Sequence, residues 1–373
     1  MMQPFRNFYD GRTVLVTGHT GFKGSWLATW LTHLGARVVG YALEPPSDPS
    51  NFEVSRLAQR IAHIHGDVRD VDRLVTTFRD HRPEIVFHLA AQSLVRLSYR
   101  KPRETFEVNL MGTVNVLEAA RQTESVRAVV SITSDKCYRN VEWVWGYRED
   151  DELGGDDPYS GSKACAELAI AVYRSKSFQQ ATDGARNLSI ASARASNVIG
   201  GGDWALDRIV PDLVRAIAAR RDLVMRNPNA TRPWQHVLES LSGYLWLGSQ
   251  LADRPELRSS WNFGPVDGPS RTVEDVVNAM LRQWASPATR LVVERDRRLP
   301  ESTLLRLDCS KARHDLEWRA TWDVERTLQA VVAWYKQFHG SNGADMFPYS
   351  IRQIDEYIAD ARAQNIRWAT AGE

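Results

Sequence analysis

A chain of 373 residues with 43% apolar and 25% charged side chains can bury a large core and divide into two domains, which excludes a disordered protein. Its 47 Lys and Arg balance 46 Asp and Glu, so no basic excess points to nucleic acid or an anionic membrane as principal partner. Cys137, Cys165 and Cys309 lie far apart without a Cys-x-x-Cys pair, no apolar run is long enough to span a bilayer, and the expected location is the cytoplasm.

The run Thr13 to Val16 predicts a strand, the glycine-rich Thr17 to Gly24 a tight turn, and Ser25 to Leu34 a helix. Further β-branched runs at Arg37 to Gly40, Ile61 to Ile64, Ile85 to Phe87, Ala128 to Thr133 and Leu188 to Ala193 alternate with helical patterns. That alternation predicts an α/β fold, a doubly wound parallel sheet of the Rossmann type over residues 1–196. After Asn197 the rhythm changes, with a loop at Gly200-Gly201-Gly202 and polar, Pro-containing stretches at Asn227 to Pro233 and Asp296 to Ser302. A smaller C-terminal α/β lobe is expected over 197–235 and 267–340, while a helix at His236 to Leu251 and a strand at Trp261 to Phe263 return segment 236–266 to the first sheet. Residues 341–373 form a tail with a helix at Ile351 to Ala363.

Gly18, Gly21 and Gly24 follow the first strand and open a helix. In that context small residues let the backbone approach a pyrophosphate and aim helix N-terminal amides at it, with Thr20, Phe22 and Lys23 lining the same turn. Glu44, twenty residues past Gly24, is placed to bind the adenosine ribose hydroxyls and repel a 2′-phosphate, favouring NAD over NADP; the alternative is a solvated loop charge. Asp67 and Val68 after the third strand suit the adenine edge, and Leu89, Ala90 and Ala91 are small or apolar residues ending the fourth strand beside the cofactor.

Tyr159 and Lys163 are four apart and share one face of a helix, where an ammonium stabilises tyrosinate and can hold a nicotinamide ribose. Ser134, Asp135 and Lys136 stand at the carboxyl end of the fifth strand; taken alone, Asp135 and Lys136 would be an exposed ion pair. Arg208 and Arg232 are planar, always-charged donors matched to a nucleotide diphosphate, with Asn197 as a neutral donor. Trp234 supplies an aromatic face, and Gln235 or the backbone near Ile209 could read a base edge; packing and surface salt-bridging are the bland alternatives. His63 and His65 alternate on a strand without a matched carboxylate or cysteine, so no metal is expected.

Gly18-x-x-Gly21-x-x-Gly24, Thr133-Ser134-Asp135-Lys136 and Tyr159-x-x-x-Lys163 together resemble the extended short-chain dehydrogenase/reductase family, in particular its members that act on nucleotide sugars. The resemblance covers nearly the whole chain, including Asn109-Leu110-Met111-Gly112-Thr113, Arg194 to Gly200 and Asn262 to Pro265. Sugar 4,6-dehydratases of this family usually carry an acidic triplet such as Thr-Asp-Glu where this chain has Ser134-Asp135-Lys136. That departure, with Gly146 to Glu149, Gly201 to Arg208 and Arg232 to His236, resembles the branch acting on CDP-glucose.

The resemblance implies a tightly defined division of labour. Tyr159 takes the proton of the sugar 4-hydroxyl while NAD⁺ takes the C4 hydride, Ser134 bonds the same oxygen, and Lys163 and Asn109 stand beside the cofactor. Asp135 suits the acid that protonates the departing 6-hydroxyl, and Lys136 occupies the base position, for which it must be neutral during part of the cycle. It further implies a homo-oligomer built through the apolar faces of Thr105 to Ala120 and Ala164 to Tyr173. A nucleotide-sugar 4-epimerase and a non-catalytic NAD-sensing protein share the cofactor turn; the first needs no acid and base for loss of water, and the second has no need of Tyr159 and Lys163.

Overall fold

The computed structural model describes residues 4–183, 188–265, 271–285, 291–294, 304–341 and 343–370, so the stretch Asp296 to Ser302 lies outside the described residues. Its centre is a parallel sheet of seven strands: β1 (Thr13–Thr17), β2 (Arg37–Ala42), β3 (Ala62–His65), β4 (Ile85–His88), β5 (Ala128–Ile132), β6 (Ser189–Ala195) and β7 (Ser260–Phe263). They lie in the order β7-β6-β5-β4-β1-β2-β3, every neighbouring pair parallel.

Alternation along each strand feeds two cores. Val14, Val16, Phe87, Val130 and Ala193 point to one face, covered by α1 (Phe22–His33) through Trp26, Leu27 and Trp30. Leu15, Val86, Val129 and Ile190 point to the other, covered by α2 (Val71–His81), α3 (Gly112–Gln122) and α4 (Pro158–Arg174). Because both faces are covered, the central strands read as unbroken apolar or small runs rather than alternating ones. The winding reverses between β1 and β4, and a sheet of this topology leaves its ligand crevice at the carboxyl ends of those strands.

Two local departures from the sequence pattern bear on that crevice. Helix α1 begins at Phe22, three residues before the apolar periodicity suggests, with Gly21 as its N-cap. The helical run expected over 105–120 is broken into Pro102–Phe106, a π-helical segment Glu107–Met111 and α3, so Asn109 sits where the helix is locally widened.

Beyond β6 the chain builds short strand pairs: Val198–Ile199 with Gln235–His236, Thr231–Arg232 with Arg271–Thr272, and Leu223–Met225 with Leu291–Val293. Three helices accompany them, α5 (Ile209–Ala218), then α7 (Val273–Trp284) and α8 (Val324–Gly340), while α6 (Val237–Gln250) lies between and leads back to β7. The tail has a packing role that periodicity could not reveal. Helix α9 (Phe347–Ala363) lies on α1, and Trp368 stacks between Phe5 at 5.1 Å and Tyr357 at 5.5 Å, joining the two ends of the chain. Among the described residues no helix is long and apolar enough to cross a membrane.

Candidate active site

The glycine turn is dictated by sterics. Gly18 has φ +75°, and a Cβ there would stand 2.7 Å from the Ala90 amide nitrogen; a Cβ on Gly24 would stand 2.2 Å from the Gly18 carbonyl oxygen. The end of β1 is thereby pressed against the end of β4, and Thr17 Oγ1 sits at the join, 2.7 Å from His88 Nδ1 and accepting the Leu89 and Ala90 amides at 3.2 Å. Burial, with Lys163 adding to it, lowers His88 to about 3, so its imidazole is neutral. No side chain caps α1, which leaves its first-turn amides available to a ligand. Thr20 is turned away, donating to the Leu43 carbonyl at 2.9 Å.

Around this turn the remaining cofactor candidates fall into four situations. Glu44 is exposed just past β2, with His65 Nε2 3.6 Å away, and His63 Nδ1 instead meets His19 Nε2 at 2.7 Å. Asp67 is engaged by Arg69, whose hydrogen bonds hold its carboxyl below the usual range, and buried Val68 packs against Gly112. Leu89, Ala90 and Ala91 line the partly open strand end. Asn109 is buried and fully spent: it accepts the Gln92 amide at 2.8 Å and donates to the Gln92 carbonyl at 3.0 Å and Ser162 Oγ at 2.9 Å. It therefore anchors the loop after β4 to α4 and supports the site from behind.

Ser134, Asp135, Tyr159 and Lys163 converge at the end of β5. Asp157 caps α4 by accepting the Ser160 amide at 2.9 Å, and Pro158 at the first helical position presets the turn that delivers Tyr159. Burial raises Tyr159 to about 12, against a hydrogen bond from Ser134 that lowers it. One turn on, Lys163 Nζ donates to the Ile132 carbonyl at 3.3 Å; burial lowers it to about 8, with Glu167 raising it. Asp135 is buried, accepts from Ser134 Oγ at 3.1 Å through Oδ1, and keeps Oδ2 without a partner. Burial raises its pKa, opposed by Lys136, Ser134 and Lys23. A buried acid held partly against ionisation next to a tyrosine and an ammonium can move protons at two neighbouring atoms of one substrate. Lys136 is only partly buried and its backbone amide donates to Ser134 Oγ at 3.2 Å.

Behind this cluster lies a pair that the sequence pattern did not single out. Glu167 on α4 accepts from Arg194 on β6 through both nitrogens facing it, from Ser192 Oγ at 2.7 Å and from Thr133 Oγ1. Arg194 also donates to Tyr138 Oη at 2.7 Å, and Tyr138 to Asn262 Oδ1 at 2.8 Å, so α4, β5, β6 and β7 are tied together. Spacing alone carried no signal for it, because the partners are 27 residues apart on different elements.

Of the second-lobe residues, Arg208 reaches the crevice. It pairs with Asp203 at 3.0 Å and donates to Ser93 Oγ at 3.4 Å, and its charge acts on Tyr159. Ile209 opens α5 directly after it. Arg232 is partly buried and donates to the Thr231 carbonyl at 3.0 Å. Trp234 is buried in the core with its indole nitrogen donating to the Arg271 carbonyl at 3.1 Å, so its ring supports the lobe and presents no open face. Gln235 is buried too, donating to Ser196 Oγ and the Phe263 carbonyl while Oε1 lacks a partner. Its backbone amide donates to the Asn197 carbonyl at 3.0 Å.

A doubly wound parallel sheet with a glycine turn at its switch point and a Tyr-Lys helix beside it defines the class of the extended short-chain dehydrogenases/reductases. Residues 15–331 match the family model of GDP-mannose 4,6 dehydratase, and the chain belongs to that family. It is 48% identical over 355 residues to the CDP-glucose 4,6-dehydratase of Salmonella typhimurium, covering 95% of this chain and 98% of the relative. A UDP-glucose 4-epimerase of Mycoplasma pneumoniae is 25% identical, covering 87% and 97%. Among solved structures, the dTDP-glucose 4,6-dehydratase of Bacillus anthracis in complex with NAD superposes with TM-score 0.72 at 19% identity, covering 88% of this chain and 97% of that one.

Proposed function

We propose that this protein is an NAD-dependent dehydratase that converts CDP-glucose to CDP-4-keto-6-deoxyglucose. The near full-length 48% identity to a CDP-glucose 4,6-dehydratase supports the substrate. The observation that carries the chemistry is Asp135, buried beside Tyr159 with one carboxylate oxygen unpartnered, because loss of water needs an acid that a 4-epimerase does not.

The residues present fit the dinucleotide: Gly18 and Gly24 permit the close approach, and uncapped α1 offers its amides to the diphosphate. When bound, NAD⁺ would supply the hydride acceptor for C4 and, in its reduced form, the donor for C6. Tyr159 takes the proton of the 4-hydroxyl, with Ser134 bonding the same oxygen and Lys163 favouring tyrosinate. The 4-ketone acidifies C5, Lys136 removes that proton, Asp135 gives its own to the departing 6-hydroxyl, and as hydride returns to C6 a proton is delivered back to C5. Arg208 faces the crevice as a diphosphate ligand on the sugar side, with Arg232, Asn197 and the backbone near Ile209 further along the lobe. Residues 1–196 with 236–266 are the cofactor domain in this reading, and 197–235 with 267–340 the nucleotide-sugar lobe.

Exposed Met111, Leu168 and Val172 support a homo-oligomer formed through the helices around 105–120 and 164–173. The free thiols of Cys137, Cys165 and Cys309 fit a reducing compartment such as the cytoplasm. Incubation with NAD⁺ and CDP-glucose, dTDP-glucose or UDP-glucose, followed by mass spectrometry, tests the proposal. Loss of one water from CDP-glucose alone is expected; an isomer of unchanged mass would make the protein an epimerase, and absence of turnover with all three would favour a cofactor-sensing role.

A further inference from the structure

A series of buried hydrogen bonds runs behind the crevice from the glycine turn to the helix that carries Tyr159, and His88 is its middle link. Thr17 ends β1, His88 ends β4, Thr113 lies in the first turn of α3, Asn109 in the π-helical segment before it and Ser162 on α4, all of them buried. The His88 ring spans the gap, with Nδ1 2.7 Å from Thr17 Oγ1 and Nε2 3.0 Å from Thr113 Oγ1.

The neighbours leave each proton one place. Thr17 Oγ1 accepts the Leu89 and Ala90 amides at 3.2 Å, which occupies both lone pairs and leaves its hydrogen for Nδ1. Thr113 Oγ1 gives its hydrogen to the Asn109 carbonyl at 2.7 Å, so toward Nε2 it accepts. The ring is therefore the neutral Nε2–H tautomer. From Asn109 the order continues: Nδ2 donates to Ser162 Oγ at 2.9 Å, and Ser162 Oγ donates to the Tyr159 carbonyl at 2.7 Å. Every donor in the series points from β1 toward α4, an arrangement in which neighbouring bonds polarise one another.

We propose that His88 is a positioning residue for the hydride-transfer step, a neutral spacer that sets the glycine turn against the helix carrying Tyr159. The inference rests on the NAD-dependent dehydratase reading above. At one end Thr17 precedes Gly18, whose close approach to Ala90 shapes the turn; at the other, Ser162 holds the carbonyl of Tyr159 itself. His88 is 3% exposed, so it acts through these partners. Cutting the middle link frees the two ends to drift, and a displacement of about 1 Å between hydride donor and acceptor costs on the order of a hundredfold in rate. Dinucleotide affinity draws instead on the first-turn amides of α1 and the glycines, which keep their own contacts.

His88→Phe keeps a flat ring and removes both nitrogens. In a single turnover with NAD⁺ and CDP-glucose it should form product roughly a hundredfold more slowly than the wild type, and deuterium at the sugar C4 should slow it further, the mark of hydride transfer as the limiting step. Its NAD⁺ affinity, by titration calorimetry, should stay within about threefold of the wild type. His88→Gln, whose amide keeps an acceptor and a donor, should recover most of the lost rate. Ser162→Ala, which shares no partner with His88, should slow the same step yet add little to His88→Phe, whereas independent damage would multiply. Nitrogen NMR of the wild-type ring should find Nε2 protonated and Nδ1 not. Product at the wild-type rate in His88→Phe, slow product without a C4 deuterium effect, affinity lost along with rate, or a proton on Nδ1 would each overturn the proposal. If His88→Phe does not fold, Ser162→Ala alone decides among the first three. A wild type that binds NAD⁺ but makes no product would instead defeat the dehydratase reading, and this inference with it.

Discussion

Glu167 and Arg194 meet in the interior through hydrogen bonds of 2.8 and 2.9 Å, directly behind the helix face that presents Tyr159 and Lys163. Both side chains are almost wholly excluded from solvent, 1% and 2% exposed, so neither charge has water to fall back on. Replacing Glu167 with Gln strands a buried guanidinium, for which about 3–5 kcal/mol of lost stability is expected. Urea unfolding measures it, and a loss under about 1 kcal/mol would show that the remaining hydroxyl partners suffice.

The same variant should change the pH dependence of turnover. Lys163 is lowered to about 8 chiefly by burial, and Glu167 is the group that raises it. Turnover should fall at alkaline pH as the ammonium that favours tyrosinate is lost, with a midpoint near 8 in the wild type. In Glu167→Gln that limb should move to lower pH; an unmoved limb in a folded variant would mean Lys163 does not govern it.

How much of this could be read along the chain depends on how local each cause is. The glycine turn is legible because the clash that forbids a side chain at Gly24 is local, with Gly18 and His19, even though Gly18 itself answers the distant Ala90, and Tyr159 with Lys163 because one helical turn fixes their relation. The strands declare themselves as apolar runs because both faces are covered. Trp234 reads in sequence as an aromatic platform, yet it is buried, since its partner Arg271 lies 37 residues away in another element. The closure of Trp368 onto Phe5 is likewise set by packing between distant segments, to which periodicity is blind.

Glu239 on α6 links that tail to pH. Its carboxylate accepts the Thr321 and Trp322 amides at 2.8 and 2.7 Å and Tyr357 Oη at 2.7 Å, yet burial raises it to about 7. A carboxyl whose folded pKa lies above its unfolded value contributes stability that is fully present below about 4.5 and is lost as pH rises to about 7. The wild type should lose on the order of 3 kcal/mol across that window from this group, and Glu239→Gln should flatten the dependence. Denaturation midpoints at acidic and neutral pH provide the check; equal slopes in both proteins would assign the pH response to other groups.

Gly24→Ala tests the turn itself. The added methyl would meet backbone atoms, Gly18 O at 2.2 Å and Gly18 C at 2.8 Å, so no side chain can swing away to relieve it. Helix α1 must shift off β1, and dinucleotide affinity should fall at least about a hundredfold, while circular dichroism stays that of a folded α/β protein. Retained affinity would mean that the diphosphate does not depend on this close approach.

Lys136 carries the least ordinary assignment, because an amine stands where related dehydratases place a carboxylate. It follows Asp135 in one short 3₁₀ turn whose start is fixed by Ser134 Oγ accepting the Lys136 amide, so acid and base candidates share a rigid backbone but differ in exposure. Lys136→Met removes the amine with little change in bulk. If Lys136 is the C5 base, the variant should still oxidise C4, seen as absorbance of reduced nicotinamide in a single turnover, but stall there with no water lost and no solvent deuterium at C5. Product released at the normal rate with deuterium at C5 would take the base role from Lys136 and leave Asp135 to serve as both base and acid. A variant that fails even to reduce nicotinamide would place Lys136 at the C4 step, beside Tyr159.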